Sequence, residues 1–410
     1  MPAPADPAAH GFSAERLARI PAFLRGKYLE PGLLPNVSLL VARDGVPVLV
    51  HHEGQARAGR PVDDATIFRI ASMTKPIASI AFMQLVERGL VALSDPVHRF
   101  IPEFRDLGVF VAGGGQAPFQ TRRPAALMRM IDLLRHTAGL TYGFQERTPV
   151  DAAYRKARLD DFALNMSSDE WIAALAELPL DHDPGAAWTY GVSTDVLGVL
   201  VERISGEPFD AYLKRHVLEP LGMVDSVFLV AQDKADRLAD AYVFHPIEKM
   251  RVFDDGGAGS RWAKPRAFHS GGGGLAATLG DYHRFCAMLL NGGTLDGRRV
   301  IGEATLRLMT VNHLPDGKDL TQVSRSLFSE ADNAGVGFGL GFAVTLDPAK
   351  TLVPGSAGDF YWGGMFSTGF FCDPVQGIHM VFMTQLMPSS TYPVRREIKT
   401  MIYAALEEYR

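Results

Sequence analysis

The spacing of apolar residues changes period along the chain, and this limits the fold more than any other feature. Near the N-terminus, Val37-Ser-Leu-Leu-Val-Ala-Arg-Asp-Gly-Val-Pro-Val-Leu-Val50 sets two apolar runs on either side of Asp44-Gly45, a dipeptide suited to a type I′ hairpin turn. After about residue 335 a period of two returns. In Gly335-Val-Gly-Phe-Gly-Leu-Gly-Phe342 one face is all glycine and the other apolar, so something must pack very close to the glycine face. Asp359 to Cys372 and Ile378 to Gln385 read as further strands, joined by a turn at Asp373-Pro374. Helical spacing marks the segment from an N-cap at Ser13 to about Tyr28, Ser72 to about Gly89, Ser193 to about Ile204, the stretch opened by Thr278-Leu-Gly-Asp281, and about Val394 to Tyr409. Strands at both ends with helices between imply an α+β chain. One antiparallel sheet, flanked by helices, is built from residues 1–95 and 266–410, and a mostly helical lobe, 96–265, is inserted between them.

The 410 residues are 47% hydrophobic, ample for a large core. A net charge of −5 without a Lys/Arg block gives no basis for nucleic-acid binding. No apolar run approaches the length of a membrane span. Met1-Pro-Ala-Pro-Ala-Asp6 lacks the basic and apolar regions of a secretory signal, so a cytoplasmic location is expected. Cys286 and Cys372 offer neither a disulfide framework nor a Cys-x-x-Cys ligand pair, and read as packing residues. The 12 histidines include no His-Glu-x-x-His, so no metal centre is expected. Gly271 to Gly274 lack the Gly-Lys-Ser/Thr ending of a phosphate loop and read as a tight connection. A Gly-x-Ser-x-Gly elbow is missing, which argues against an α/β-hydrolase.

Ser72-Met-Thr-Lys75 carries the chemistry. On a helix, positions i and i+3 share a face, so the Ser72 hydroxyl and Lys75 amine can meet. An alcohol is a weak nucleophile at neutral pH and needs a base within hydrogen-bond reach. The pattern alone is short enough to arise by chance. Its position at a helix start, directly after the strand-like Thr66-Ile-Phe-Arg-Ile-Ala71, adds unpaired N–H groups and a positive dipole end that favour an oxyanion at Ser72.

Phe68-Arg-Ile-Ala-Ser-Met-Thr-Lys-Pro76 closely resembles the nucleophile helix of the class C β-lactamase-like serine hydrolases, which include class C β-lactamases, D-alanyl-D-alanine peptidases and family VIII carboxylesterases. Leu133-Leu-Arg-His-Thr-Ala-Gly-Leu140 resembles that family's loop segment. Pro184-Gly-Ala-Ala-Trp-Thr-Tyr-Gly191 followed by Asp195-Val-Leu-Gly198 resembles its tyrosine motif. Ser270-Gly-Gly-Gly-Gly-Leu275 with Asp281-Tyr282 resembles the segment before its last strands, and Trp362-Gly-Gly364 stands where its third motif belongs. The resemblance spans roughly residues 15 to 400 and implies a β-lactamase/penicillin-binding-protein-like fold with the active site between the lobes. It further implies a cofactor-free enzyme in which Ser72 is the nucleophile and Lys75 and Tyr190 form a coupled base and acid. The backbone N–H groups of Ser72 and Met365 would hold the oxyanion, and Trp362, Gly363 and Gly364 would bind substrate. Tyr142 fits either the substrate groove or an ordinary surface loop, and His136 is more plausibly structural than catalytic.

Two departures narrow the function. Class C β-lactamases carry Tyr-x-Asn, whereas this chain has Tyr190-Gly191-Val192. Their third motif begins with lysine, and this one begins with Trp362, whose ring cannot pair a carboxylate. Both changes favour neutral esters, and Trp-Gly-Gly is typical of family VIII esterases. The expected activity is therefore a carboxylesterase hydrolysing small, short-chain esters through an acyl-Ser72 intermediate. The alternatives are acyl transfer through the same intermediate, a β-lactamase or D-amino-acid peptidase, and a binding module that has lost catalysis.

Overall fold

The computed structural model describes residues 3–161, 165–326 and 334–410. Its principal element is an eight-stranded antiparallel sheet drawn from both ends of the chain. The N-terminal part supplies β1 (Asn36–Arg43), β2 (Val46–Arg57) and β3 (Arg60–Pro61). The C-terminal part supplies β4 (Val336–Phe338), β5 (Ala343–Thr345), β6 (Phe360–Gly363), β7 (Gly369–Asp373) and β8 (Ile378–Met383). The order is β4-β5-β6-β7-β8-β1-β2-β3. β1 and β8 join the two parts with Leu40 opposite Val381. Asp44 and Gly45 both have positive φ, 51° and 77°, as a type I′ turn requires.

β1 is buried at every residue because it is central and covered on both faces. Leu39 and Val41 pack with Leu17, Ile20 and Leu24 from the N-terminal helices and with Ile398 and Ile402 of the closing helix, Val394–Ala404. Leu40 and Ala42 face the larger core, which contains Ile77, Ile80 and Phe285. Among the described residues no helix is long and apolar enough to cross a membrane.

Three expectations need correction. Asp359 to Cys372 is not one strand but a hairpin, β6 and β7, which turns at residues 364–368, where Ser367 has φ 66°. Gly335 to Phe342 is a strand arm and its turn: β4 ends at Phe338 and Gly341 reverses the chain at φ 98°. A methyl on Gly341 would lie 2.3 Å from the Ser79 hydroxyl, and one on Gly339 would lie 2.1 Å from the Met309 carbonyl, so the glycine face does receive close neighbours. The middle of the chain also contains two β-hairpins, Val109–Gly114 with Ala117–Arg122 and Ala241–His245 with Lys249–Asp254. Their outward-facing residues give no clean apolar alternation.

Candidate active site

The site grows from a strand-to-helix junction. Phe68–Arg69 pairs with Ala276–Ala277, and Ala71 then takes a left-handed conformation (φ 43°) that non-glycine residues seldom adopt. A 3₁₀ turn, Ala71–Met73, follows and leads into α1 (Thr74–Glu87). This helix is buried almost all round, so its apolar side is broader than a single stripe. The junction is pinned by side chains: Thr74 Oγ1 accepts from the Leu275 N–H (3.1 Å), and Tyr282 Oη donates to the Met73 carbonyl (2.9 Å).

Ser72 and Lys75 do meet. Lys75 Nζ donates to Ser72 Oγ at 3.1 Å, and Tyr190 Oη donates to the same oxygen at 2.7 Å. The ammonium also lies over the Tyr190 ring, 4.7 Å from its centroid. Tyr190 precedes α2 (Ser193–Ser205), which packs against α1. A methyl on Gly191 would lie 2.4 Å from the Leu140 carbonyl, so this tyrosine segment runs flush against the Leu133–Leu140 loop.

Two further partners of Lys75 complete the cluster. It donates to Tyr142 Oη (3.0 Å) and to the Gly272 carbonyl (2.7 Å). Tyr142 is therefore buried in the cluster and not a surface residue. Burial, and then the neighbouring Asp195 carboxylate, push its phenol well above the usual range, so it stays protonated. Asp195 accepts from the Gly272 N–H (3.0 Å) and from Ser270 Oγ (2.5 Å). Burial raises its carboxyl pKa, and the charge of Lys75 works against that rise. The glycine run is thus a tight connection that also holds Lys75. A methyl on Gly272 would lie 2.3 Å from Asp195 Oδ2 and 2.9 Å from Tyr142 Oη. Sequence reasoning left Asp195 and Gly272 without roles, although both stood inside the quoted motifs.

A pocket of about 330 Å³ opens on Ser72. Tyr142, Phe144, Leu159, Tyr190, Phe268, Met365 and Pro388 line it, together with Asp160, Asp161, Asp195 and Arg266. Trp362, Gly363 and Gly364 are not among the residues that line it. Trp362 is buried behind the site, edge-on to Tyr190 (5.4 Å) and Phe338 (5.3 Å). Its strand serves the pocket indirectly. A methyl on Gly364 would lie 2.3 Å from the Ile70 carbonyl, so only glycine lets the turn bearing Met365 approach the Ser72 junction. His136 is buried edge-on to Tyr190 at 5.2 Å, and burial, then Lys75, push its imidazole far below the usual range. It is a neutral packing group. Among the described residues no cluster of His, Cys, Asp and Glu could hold a metal ion.

The fold and its similarities define the protein as a serine hydrolase of β-lactamase/penicillin-binding-protein architecture. A family model described as Beta-lactamase matches residues 27–403, and the chain belongs to that family. Protein Rv1367c of Mycobacterium tuberculosis is 38% identical over 335 residues, 81% of this chain and 80% of its own. Esterase EstB of Burkholderia gladioli is 32% identical over 419 residues, covering 97% of this chain and 98% of its own. The solved structure of EstCE1, described as a hydrolase with promiscuous acyltransferase activity, superposes with a TM-score of 0.80 at 25% identity, covering 95% of this chain and 99% of that one.

Proposed function

We propose that the protein is a carboxylesterase that hydrolyses small, short-chain esters through an acyl-Ser72 intermediate. The observation that carries this reading is the convergence of Tyr190 Oη and Lys75 Nζ on Ser72 Oγ, at 2.7 and 3.1 Å. For attack, one of the two must give up its proton and accept that of Ser72. The pair then acts as a unit, with Tyr190 returning the proton to the departing alkoxide. Water activated by the same pair releases the acid. The oxyanion would lie between the backbone N–H groups of Ser72 and Met365, both in residues that line the pocket. Short acyl chains fit a pocket at the small end of the usual ligand range, with walls at Phe144, Leu159, Phe268 and Pro388. In this reading the cleft lies between the lobes 1–95/266–410 and 96–265. The sparse, buried cysteines suit a cytoplasmic setting.

Buried Val192 and Trp362 in place of the amide and the lysine of the β-lactamase motifs favour esters over lactams. Turnover of a short-chain p-nitrophenyl ester should exceed that of a chromogenic cephalosporin. The reverse ranking would replace this reading with the lactamase one. A serine-reactive phosphonate should add mass to the wild type and not to Ser72→Ala, and equal labelling of both would remove Ser72 from the mechanism.

A further inference from the structure

Arg266 lines the same pocket as Ser72. Its guanidinium is stacked on Trp262, 4.7 Å from the ring centroid, and the guanidinium of Arg69 lies 5.0 Å from that same ring. The neighbouring carboxylate, Asp254, is spent on Arg69 and Ser260 and lies 3.6 Å from Arg261. Arg266 is left without an ion-pair partner among the described residues. Its Nη2 is buried and has no hydrogen-bond acceptor. An arginine does not relieve this by losing its proton, and an unmet charged donor is costly.

The acids of the pocket do not supply the missing partner. Asp161 is bonded to Arg158 at 2.7 Å. Asp160 accepts from the Gly143 N–H at 2.8 Å. Asp195 accepts from Ser270 and Gly272. Among the described residues, then, the pocket offers a cation with no carboxylate paired to it. The remaining walls, Phe144, Leu159 and Phe268, suit a short hydrocarbon spacer.

We propose that Arg266 binds a carboxylate carried by the substrate, so that the preferred substrates are esters bearing a second, free acid group. This rests on the ester-hydrolase reading above. It revises the neutral-ester expectation drawn from Trp362: the cation missing from the third motif is supplied instead from the segment before Ser270.

Three esters test the proposal: p-nitrophenyl hydrogen glutarate, with the free acid on the acyl side; p-acetoxybenzoate, with the acid on the leaving group; and neutral p-nitrophenyl butyrate. For each charged ester the readout is its kcat/KM divided by that of the neutral ester, a ratio that cancels any general damage to the fold. Arg266→Met should lower this ratio about 10-fold or more for at least one charged ester, chiefly through KM, and Arg266→Lys should restore part of it. The ester affected identifies which side of the scissile bond faces Arg266. Ratios unchanged for both charged esters would overturn the proposal. Calorimetric titration with glutarate separates the two readings. If no ester is turned over but glutarate binds the wild type and binds Arg266→Met about 10-fold more weakly, the hydrolase reading fails and the anion site stands. Equal glutarate affinity, or none for either protein, with no ester turnover would overturn the anion site as well.

Discussion

The ammonium of Lys75 lies closer to the carbonyl oxygen of Gly272, at 2.7 Å, than to the hydroxyl of Ser72, at 3.1 Å. The group expected to activate the nucleophile is thus anchored by the backbone of a glycine nearly 200 positions away in sequence. This makes Gly272 a positioning residue. A methyl there collides with Asp195 and Tyr142 and displaces the carbonyl that fixes the amine. Gly272→Ala should lower kcat by about 10²-fold, the scale of a 1 Å misplacement, while the melting temperature falls only modestly. Steady-state kinetics beside a thermal melt checks this. Wild-type kcat in the variant would show that the carbonyl does not set the position of Lys75.

Removing the phenol that donates to Ser72 should slow chemistry more than it weakens binding. Tyr190→Phe keeps the ring against Trp362 and His136 and loses only the oxygen. The expected loss is about 10²- to 10⁴-fold in kcat, with little change in KM. A loss under about threefold would leave proton transfer to Lys75 alone.

Acid should destabilise the fold through a histidine pair remote from Ser72. His283 Nδ1 and His379 Nε2 are 2.8 Å apart at the helix–sheet interface. Burial, and then Arg284, lower His283 to about 4, and burial lowers His379 as well. Both are neutral in the native state, so between pH 6.5 and 4 the unfolded chain binds more protons than the folded one. This stabilisation is complete above pH 6.5 and is lost as pH falls toward 4, by about 3 kcal/mol for His283. Urea titrations at pH 7 and pH 5 should show a steeper loss for wild type than for His283→Asn. Parallel losses would assign the acid sensitivity elsewhere.

The ion pair between Arg69 and Asp254 is a further point of vulnerability. Arg69 is wholly buried, and its guanidinium also meets Ser260 (3.0 Å) and Gln385 (3.3 Å). Asp254→Ala strands that charge and should cost about 3–5 kcal/mol of stability, whereas the double change Arg69→Met with Asp254→Leu should recover much of it. A denaturant midpoint for Asp254→Ala equal to that of the wild type would show that the polar neighbours of Arg69 suffice without the carboxylate.

Local signals in the sequence were read correctly where the physics is local. Ser13 accepts from the Arg16 N–H as an N-cap should, Asp44-Gly45 makes the hairpin turn, and Thr278 accepts from the Asp281 N–H at the start of its helix, Leu279–Leu290. Failures arose where a turn was disguised or a partner was distant. The reversal between β6 and β7 falls at Gly364-Met-Phe-Ser-Thr368, where two apolar residues stand in the turn and no Pro, Asn or Asp marks it. Tyr142 and Gly272 stand 67 and 197 residues from Lys75, and no spacing rule links positions so far apart. The Ser72–Lys75 contact follows from helix geometry, but the bond from Tyr190 to Ser72 was expected only through family resemblance, since 118 residues separate them.

The seam between β1 and β8 also sets an order of events in the making of the protein. Leu40 waits for Val381, about 340 residues later, before the sheet can close. At a synthesis rate of roughly 5–20 residues per second, that wait is on the order of 20–70 seconds. The turn carrying Met365 emerges in the same late stretch, so the junction at Ser72 stays without its facing wall for nearly all of translation. A nascent chain therefore has neither a closed sheet nor a complete pocket. Truncation before Phe360 removes both together, whereas a cut between Asp373 and Ile378 leaves the Met365 turn and still forfeits the seam.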